Sequence, residues 1–229
     1  MKNKIIIIAE AGGNHNGSLK KAYKLVDIAK KAGADYVKFQ TFKAETLVSK
    51  NAPKAKYQKK NVKKISHYEL IKKLEMSYDM HIKIIKYFKQ KKIKFLSSPF
   101  CIDSFDLLRK FNLDFIKIPS GEITNLPLLR HIRKFNNDII LSTGMSNLNE
   151  IKNAVQILKN KNRKIILLHC NTEYPTPIFD INLNAMQALK KKFKLEVGYS
   201  DHSLGTQVPV IAASLGAKVI EKHFTISKK

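Results

Sequence analysis

Eight short apolar runs rich in β-branched residues recur along the chain, and this recurrence constrains the fold more than any other feature. They are Ile5–Glu10, Tyr36–Gln40, Lys94–Ser98, Phe115–Ile118, Ile139–Ser142, Ile165–His169, Leu195–Tyr199 and Lys218–His223. Longer amphipathic stretches lie between them, among them Leu19–Lys31, His81–Lys91, Ser104–Phe111, Asn149–Asn160, Asn184–Phe193 and Gln207–Leu215. Strand then helix, repeated this regularly, predicts a parallel sheet. Eight repeats, most about 20–30 residues apart, predict an α/β fold of the closed (β/α)8 TIM-barrel type. The wide step from Tyr36 to Lys94 carries an insertion from 43 to about 66. A doubly wound sheet is the rival, but AGGNHNG after the first run is neither a GxGxxG fingerprint nor a P-loop. The sequence ends shortly after His223, so the expectation is one barrel domain over 1–229 that lacks its eighth barrel helix.

At 44% hydrophobic, 229 residues can bury one sizeable core. The longest purely apolar stretch, Ile5–Ala9, is too short for a membrane span or a signal peptide, so the expectation is a cytoplasmic protein without membrane contact. The formal net charge of +25 raises the question of nucleic acid. Arginine, which reads guanine and phosphate as a fork, stands only at Arg109, Arg130, Arg133 and Arg163. The lysines spread over nearly every helix, and this favours solvated surfaces over a nucleic-acid partner. The densest patch is Lys54, Lys56, Lys59, Lys60, Lys63 and Lys64. Cys101 and Cys170 make no disulfide framework, and Cys170 reads as a buried free thiol.

Barrels of this kind build their sites at the C-terminal ends of the strands. Here those ends carry Glu10; Lys38 and Gln40; Ser97 and Ser98; Lys117, Ser120 and Glu122; Ser142 and Thr143; His169, Asn171 and Thr172; Ser200, Asp201 and His202; and Glu221 and His223. Lys38 and Gln40 share one side of their strand, while Val37 and Phe39 face the helices. A lysine embedded in an apolar strand needs an anion, and Lys38 and Lys117 with several hydroxyls suit a phosphate. His202 and His223, on adjacent strand ends, suit a divalent metal such as Mn²⁺ or Mg²⁺. His15, His67, His81 and His131 read as surface or loop groups. A Schiff-base lysine of an aldolase or lyase is the enzymatic alternative; a basic nucleic-acid-binding domain is the non-enzymatic one.

Taken together, IIAEAGGNHNGSL, ADYVKFQTF, FLSSPF, IKIPSGEITNLPLL, ILSTGM, LLHCNTEYPTP, VGYSDHSLG and VIEKHFT resemble the sialic acid synthases, the bacterial N-acetylneuraminate and legionaminate synthases. The resemblance implies condensation of phosphoenolpyruvate with an N-acyl mannosamine-type hexosamine to a nine-carbon sugar acid, with release of phosphate. It implies a divalent cofactor, Mn²⁺ first and Mg²⁺ or Co²⁺ as alternatives, on His202 and His223. It implies phosphoenolpyruvate contacts at Lys38, Ser98, Lys117, Ser120, Ser142 and Ser200, with Asn171 or Thr172 on phosphate. Sugar contacts fall at Gln40 and Tyr174. Glu122 is implied near the aldehyde as the proton-transfer group, and Glu10 near metal-bound water; Glu10, Glu122 and His223 thus form the implied catalytic set. For full-length members the resemblance implies a homodimer and a C-terminal antifreeze-like domain, and the expectation is that this domain is absent from 1–229. TEYPTP and the segment around Ala52–Tyr57 lean toward legionaminate-type relatives.

Overall fold

The computed structural model describes residues 4–53 and 65–227. Eight parallel strands are present: β1 Ile6–Gly12, β2 Tyr36–Thr41, β3 Lys94–Pro99, β4 Phe115–Ile118, β5 Asp138–Ser142, β6 Ile165–His169, β7 Glu196–Asp201 and β8 Val219–His223. The ladder runs β3-β2-β1-β8-β7-β6-β5-β4. β3 and β4, the two ends of the ladder, lie side by side and nearly close the cylinder. The predicted (β/α)8 barrel is what the chain forms.

The helices are α1 Leu19–Lys31, α2 Ala44–Leu47, α3 His67–Leu74, α4 Tyr78–Lys91, α5 Ile102–Arg109, α6 Leu126–Arg133, α7 Leu148–Leu158, α8 Asn184–Phe193 and α9 Gln207–Ser214. Local chemistry sets their starts. Ser18 accepts from Lys21 N to begin α1, and Ser77 accepts from Met80 N, so α4 begins a turn before His81. Asn147 and Glu150 close the capping box expected from their spacing. The short helix α6, with Pro127 in its first turn, is not singled out by the apolar pattern. α2 and α3 lie in the long β2–β3 connection; the lysine patch from Lys54 to Lys64 falls outside the described residues. No helix follows β8 among the described residues, and none is long and apolar enough to cross a membrane.

Strand alternation divides the core. Ile8, Tyr36, Leu96, Phe115, Ile140, Ile166, Leu168 and Val219 fill the barrel interior. The opposite strand faces pack against the helices: Val37 and Phe39 meet Leu25, Ile84 and Phe88 of α1 and α4. Near β7 the walls close tightly. A Cβ on Gly198 would stand 2.3 Å from Val219 O and 2.7 Å from Leu168 Cδ2, so only glycine lets these strands approach. Apolar filling ends one layer below the C-terminal mouth, and there the polar strand ends begin.

Candidate active site

A cavity of about 250 Å³ opens at that mouth. Its lining includes Glu10, Lys38, Gln40, Ser98, Lys117, Ser120, Ser142, Thr172, Tyr174, Ser200, His202 and His223, together with Phe100, Pro119, Gly121, Cys170 and Glu221. Residues from every strand or its following loop thus meet in one place. Because side chains alternate, Ser200 and His202 face the cavity while Asp201 between them faces the helices.

The floor is a buried row of alternating charge. Lys38 Nζ lies 3.0 Å from Glu10 Oε2 and 3.6 Å from Glu221 Oε2; Lys117 Nζ lies 3.4 Å from Glu221 Oε1. Hydroxyls complete it: Lys38 donates to Ser98 Oγ at 3.3 Å, Lys117 to Ser142 Oγ at 2.8 Å, and Ser200 to Glu221 Oε1 at 2.9 Å. Burial alone would raise the pKa of Glu221, but Lys117 and Lys38 overcome it and hold the carboxyl well below its usual range. Glu10 goes the other way: burial and the neighbouring Glu221 push it up against the pull of Lys38. Burial lowers the pKa of Lys117 although Glu221 opposes the shift; for Lys38 burial is outweighed by Glu10 and Glu221, and its pKa rises. An anion entering here meets two ammonium groups already desolvated and oriented, so little reorganisation accompanies binding.

The two imidazoles stand side by side on the wall, ring centroids 5.7 Å apart. Nδ1–H of His202 donates to Asn171 O; Nε2 lies 3.4 Å from Ser200 Oγ, whose proton goes to Glu221, so its lone pair stays available to a ligand. Burial lowers the pKa of both rings; for His223, where Lys38 and His202 add to it, the value is about 4. Burial thus favours the neutral form of both rings, the form a metal ligand needs. Gly12, at φ +49°, shapes this corner: a Cβ there would stand 3.3 Å from Glu10 Oε1 and 3.7 Å from His223 Cε1. Among the described residues no group of three His, Cys, Asp or Glu side chains is disposed to hold a metal. The donor set therefore fits an open site, with two imidazoles from the protein and the remaining positions left to water and substrate.

Two sequence-predicted residues do not enter the cavity lining. Glu122 sits in a 3₁₀ turn, Ser120–Glu122, and its Oε2 accepts from Asn125 Nδ2 at 2.6 Å. The turn brings Ser120 and Gly121 to the cavity and directs the carboxylate to the start of α6. Asn171 donates its Nδ2 to Asp180 O at 2.7 Å, and Thr172 is the neighbour that lines the cavity. The surface-or-loop reading is corrected for His81, which is a buried helix residue, while His15 does lie in the β1–α1 loop but is buried there. His15 is buried against Phe39 and accepts from Gly17 N; His81 is buried between Thr41 and Ser77 and stacks on Phe111. His67 and His131 are half-buried. Glu221 is a strand-end residue to which the sequence pattern alone assigns no role; its period-two spacing from His223 is the available signal. Cys170 is a buried free thiol, as expected, yet it lines the cavity with Sγ 3.2 Å from Ser120 Oγ.

A TIM barrel with two lysines, two carboxylates and two imidazoles converging at its C-terminal mouth defines a class: barrels with a buried, ion-paired polar site at the strand ends. Comparison narrows the class. The chain belongs to the NeuB family, whose model matches residues 25–229. It is 53% identical to the N,N'-diacetyllegionaminic acid synthase of Campylobacter jejuni, over 98% of this chain and 69% of that protein. It is 48% identical to the synthase of the same name from Legionella pneumophila, over 97% of this chain and 64% of that protein. The crystal structure of the N-acetylneuraminic acid synthetase of Leptospira borgpetersenii in complex with citrate superposes with a TM-score of 0.88 at 36% identity, covering 98% of this chain and 74% of that one. The chain spans about two thirds of the length of these curated relatives.

Proposed function

We propose that the chain carries the phosphoenolpyruvate- and metal-binding barrel of an enzyme that joins phosphoenolpyruvate to an N-acyl amino-sugar aldehyde, giving a nine-carbon sugar acid and phosphate. The observation that carries the reading is the row Glu10–Lys38–Glu221–Lys117 beneath His202 and His223 in one cavity. Lys38 and Lys117 neutralise the phosphate and carboxylate of phosphoenolpyruvate, and Ser98, Ser120, Ser142, Ser200 and Thr172 supply hydroxyls to its oxygens. Gln40 and Tyr174, higher on the wall, face the sugar.

Carbon 3 of phosphoenolpyruvate bonds to the aldehyde carbon, and water adds at carbon 2. The resulting tetrahedral centre loses phosphate by carbon–oxygen cleavage to leave the 2-keto acid. A divalent cation on His202 and His223, manganese first and magnesium or cobalt next, supplies Lewis-acid polarisation of the sugar carbonyl when bound. Glu10, held up near neutrality by burial, exchanges the proton of the attacking water. The proton-transfer part expected of Glu122 passes to Glu10, because the Glu122 carboxylate is engaged with Asn125.

Identity to the diacetyllegionaminic acid synthases supports a particular acceptor. Phosphoenolpyruvate brings three carbons and no nitrogen, so a product with two acetamido groups requires a six-carbon sugar that already carries both. The family resemblance further supports a cytoplasmic homodimer. The test is phosphate release from phosphoenolpyruvate with Mn²⁺ and a panel of mono- and diacetamido hexoses. Release with the diacetamido sugar that stops on chelation supports the proposal. Borohydride trapping of a covalent lysine adduct together with indifference to chelators would replace it with a Schiff-base lyase.

A further inference from the structure

Behind the cavity wall, on the helix side of β7 and β8, lies an ion pair that the proposed chemistry does not use. Asp201 and Lys222 are cross-strand partners, one rung after Ser200 and Glu221. On the inner face Ser200 bonds Glu221; on the outer face Lys222 Nζ donates to Asp201 Oδ2. The Asp201 side chain is wholly buried. Its other oxygen, Oδ1, accepts from Ser203 N at 2.9 Å and Ser203 Oγ at 2.6 Å, and Lys222 Nζ reaches Ser203 O at 2.8 Å. All three polar groups of Ser203 are therefore held by this one pair. His202, directly before it, has its carbonyl held by Thr176 N at 2.9 Å and its ring by Asn171 O. The carbonyl of His202 and both peptide groups of Ser203 thus have partners, those of Ser203 being Asp201 and Lys222.

We propose that Asp201 and Lys222 are positioning residues that fix the orientation and tautomer of His202 for a divalent cation. This rests on the reading of His202 as a metal ligand and deepens it. A turn of this shape alone could be held by Asn, whose amide oxygen would serve both Ser203 donors. A carboxylate buried against a single ammonium is the costlier choice, since desolvation opposes it. What the charge adds is Lys222, drawn across to the Ser203 carbonyl, which ties the turn to the strand bearing His223. The two imidazoles are thereby set relative to each other through a bridge outside the cavity. Asp201→Asn keeps the turn's acceptor but sets an amide donor against the ammonium; Lys222→Met removes the bridge from the other side.

The readout is ¹⁵N-histidine NMR of the protein without added metal, with the His202 signals identified by their loss in His202→Gln. The expected result is one Nδ1-protonated pattern in the parent and a mixture of tautomers in Asp201→Asn and in Lys222→Met. Glu196→Gln, which breaks the Lys164 pair at the other end of β7, leaves the pattern intact. In Mn²⁺ titrations the two clamp variants should bind about 10–100-fold more weakly, and Glu196→Gln within twofold of the parent. An unchanged tautomer pattern in the folded clamp variants, or unchanged Mn²⁺ affinity, overturns the proposal. Should Asp201→Asn fail to fold, Lys222→Met and Ser203→Ala carry the same comparison. A parent that takes up no Mn²⁺ overturns the metal reading, while the NMR comparison still decides whether the pair positions His202.

Discussion

Replacing Glu221 by Gln removes one negative charge and almost no volume. The amide oxygen can still accept from Ser200, so the hydrogen bond at 2.9 Å survives. What disappears is the anion shared by Lys38 at 3.6 Å and Lys117 at 3.4 Å. With both carboxylates ionised, the floor balances two lysines against Glu10 and Glu221; in the variant an ammonium is left buried without its partner. Breaking a buried pair in this way costs about 3–5 kcal/mol. For a chain of this length each kcal/mol moves the melting temperature by about 2–4 °C, so the midpoint should fall by about 6–20 °C. The deficit should depend on ligand. Inorganic phosphate restores the missing charge, so it should raise the variant's midpoint more than the parent's. Thermal melts with and without phosphate read both effects. A variant that melts within 2 °C of the parent, with no added response to phosphate, would refute the idea that Glu221 anchors the two lysines.

Acid should destabilise the fold through His15, whose pKa burial lowers from 6.5 to about 4. The neutral ring contributes its full stability above pH 6.5 and loses it as pH falls toward 4, a swing of about 3 kcal/mol; His15→Gln should flatten that part of a pH–melting curve. Gly198→Ala forces a Cβ to within 2.3 Å of Val219 O and should cost about 1–3 kcal/mol or more in denaturant titrations, through separation of β7 from β8. Arg163 donates to Leu158 O, Ile132 O and Phe135 O at the ends of α6 and α7; Arg163→Met should lower stability by about 2–4 kcal/mol without altering anion affinity, both readable by calorimetry.

The barrel was legible because its signal is local. Each β-branched run, and the amphipathic stretch after it, needs no knowledge of the rest of the chain. Lys38, Lys117, Ser98, Ser142 and His202 were legible for a related reason: a polar residue at the C-terminal end of an apolar strand enters the mouth of a barrel when strand alternation turns it inward. What stayed hidden depends on register and turn direction. Glu221 anchors both lysines only because β8 pairs with β7 so that Glu221 meets Ser200, and no sequence period specifies that rung. The Glu122 carboxylate points to Asn125 because of how a three-residue turn resolves, which PSGE alone does not dictate. His15 and His81 became core residues because Phe39 and Phe111, distant in sequence, pack over their rings.

The central claim is that two imidazoles and two ammonium groups form one receptor for a metal and a phosphorylated acid. A crystal structure of the protein soaked with Mn²⁺ and phosphoenolpyruvate tests it most directly. Manganese should be bonded to both His202 and His223, with the phosphate and carboxylate oxygens of phosphoenolpyruvate seated on Lys38 and Lys117. Manganese elsewhere in the molecule, or phosphoenolpyruvate bound away from those lysines, would contradict it.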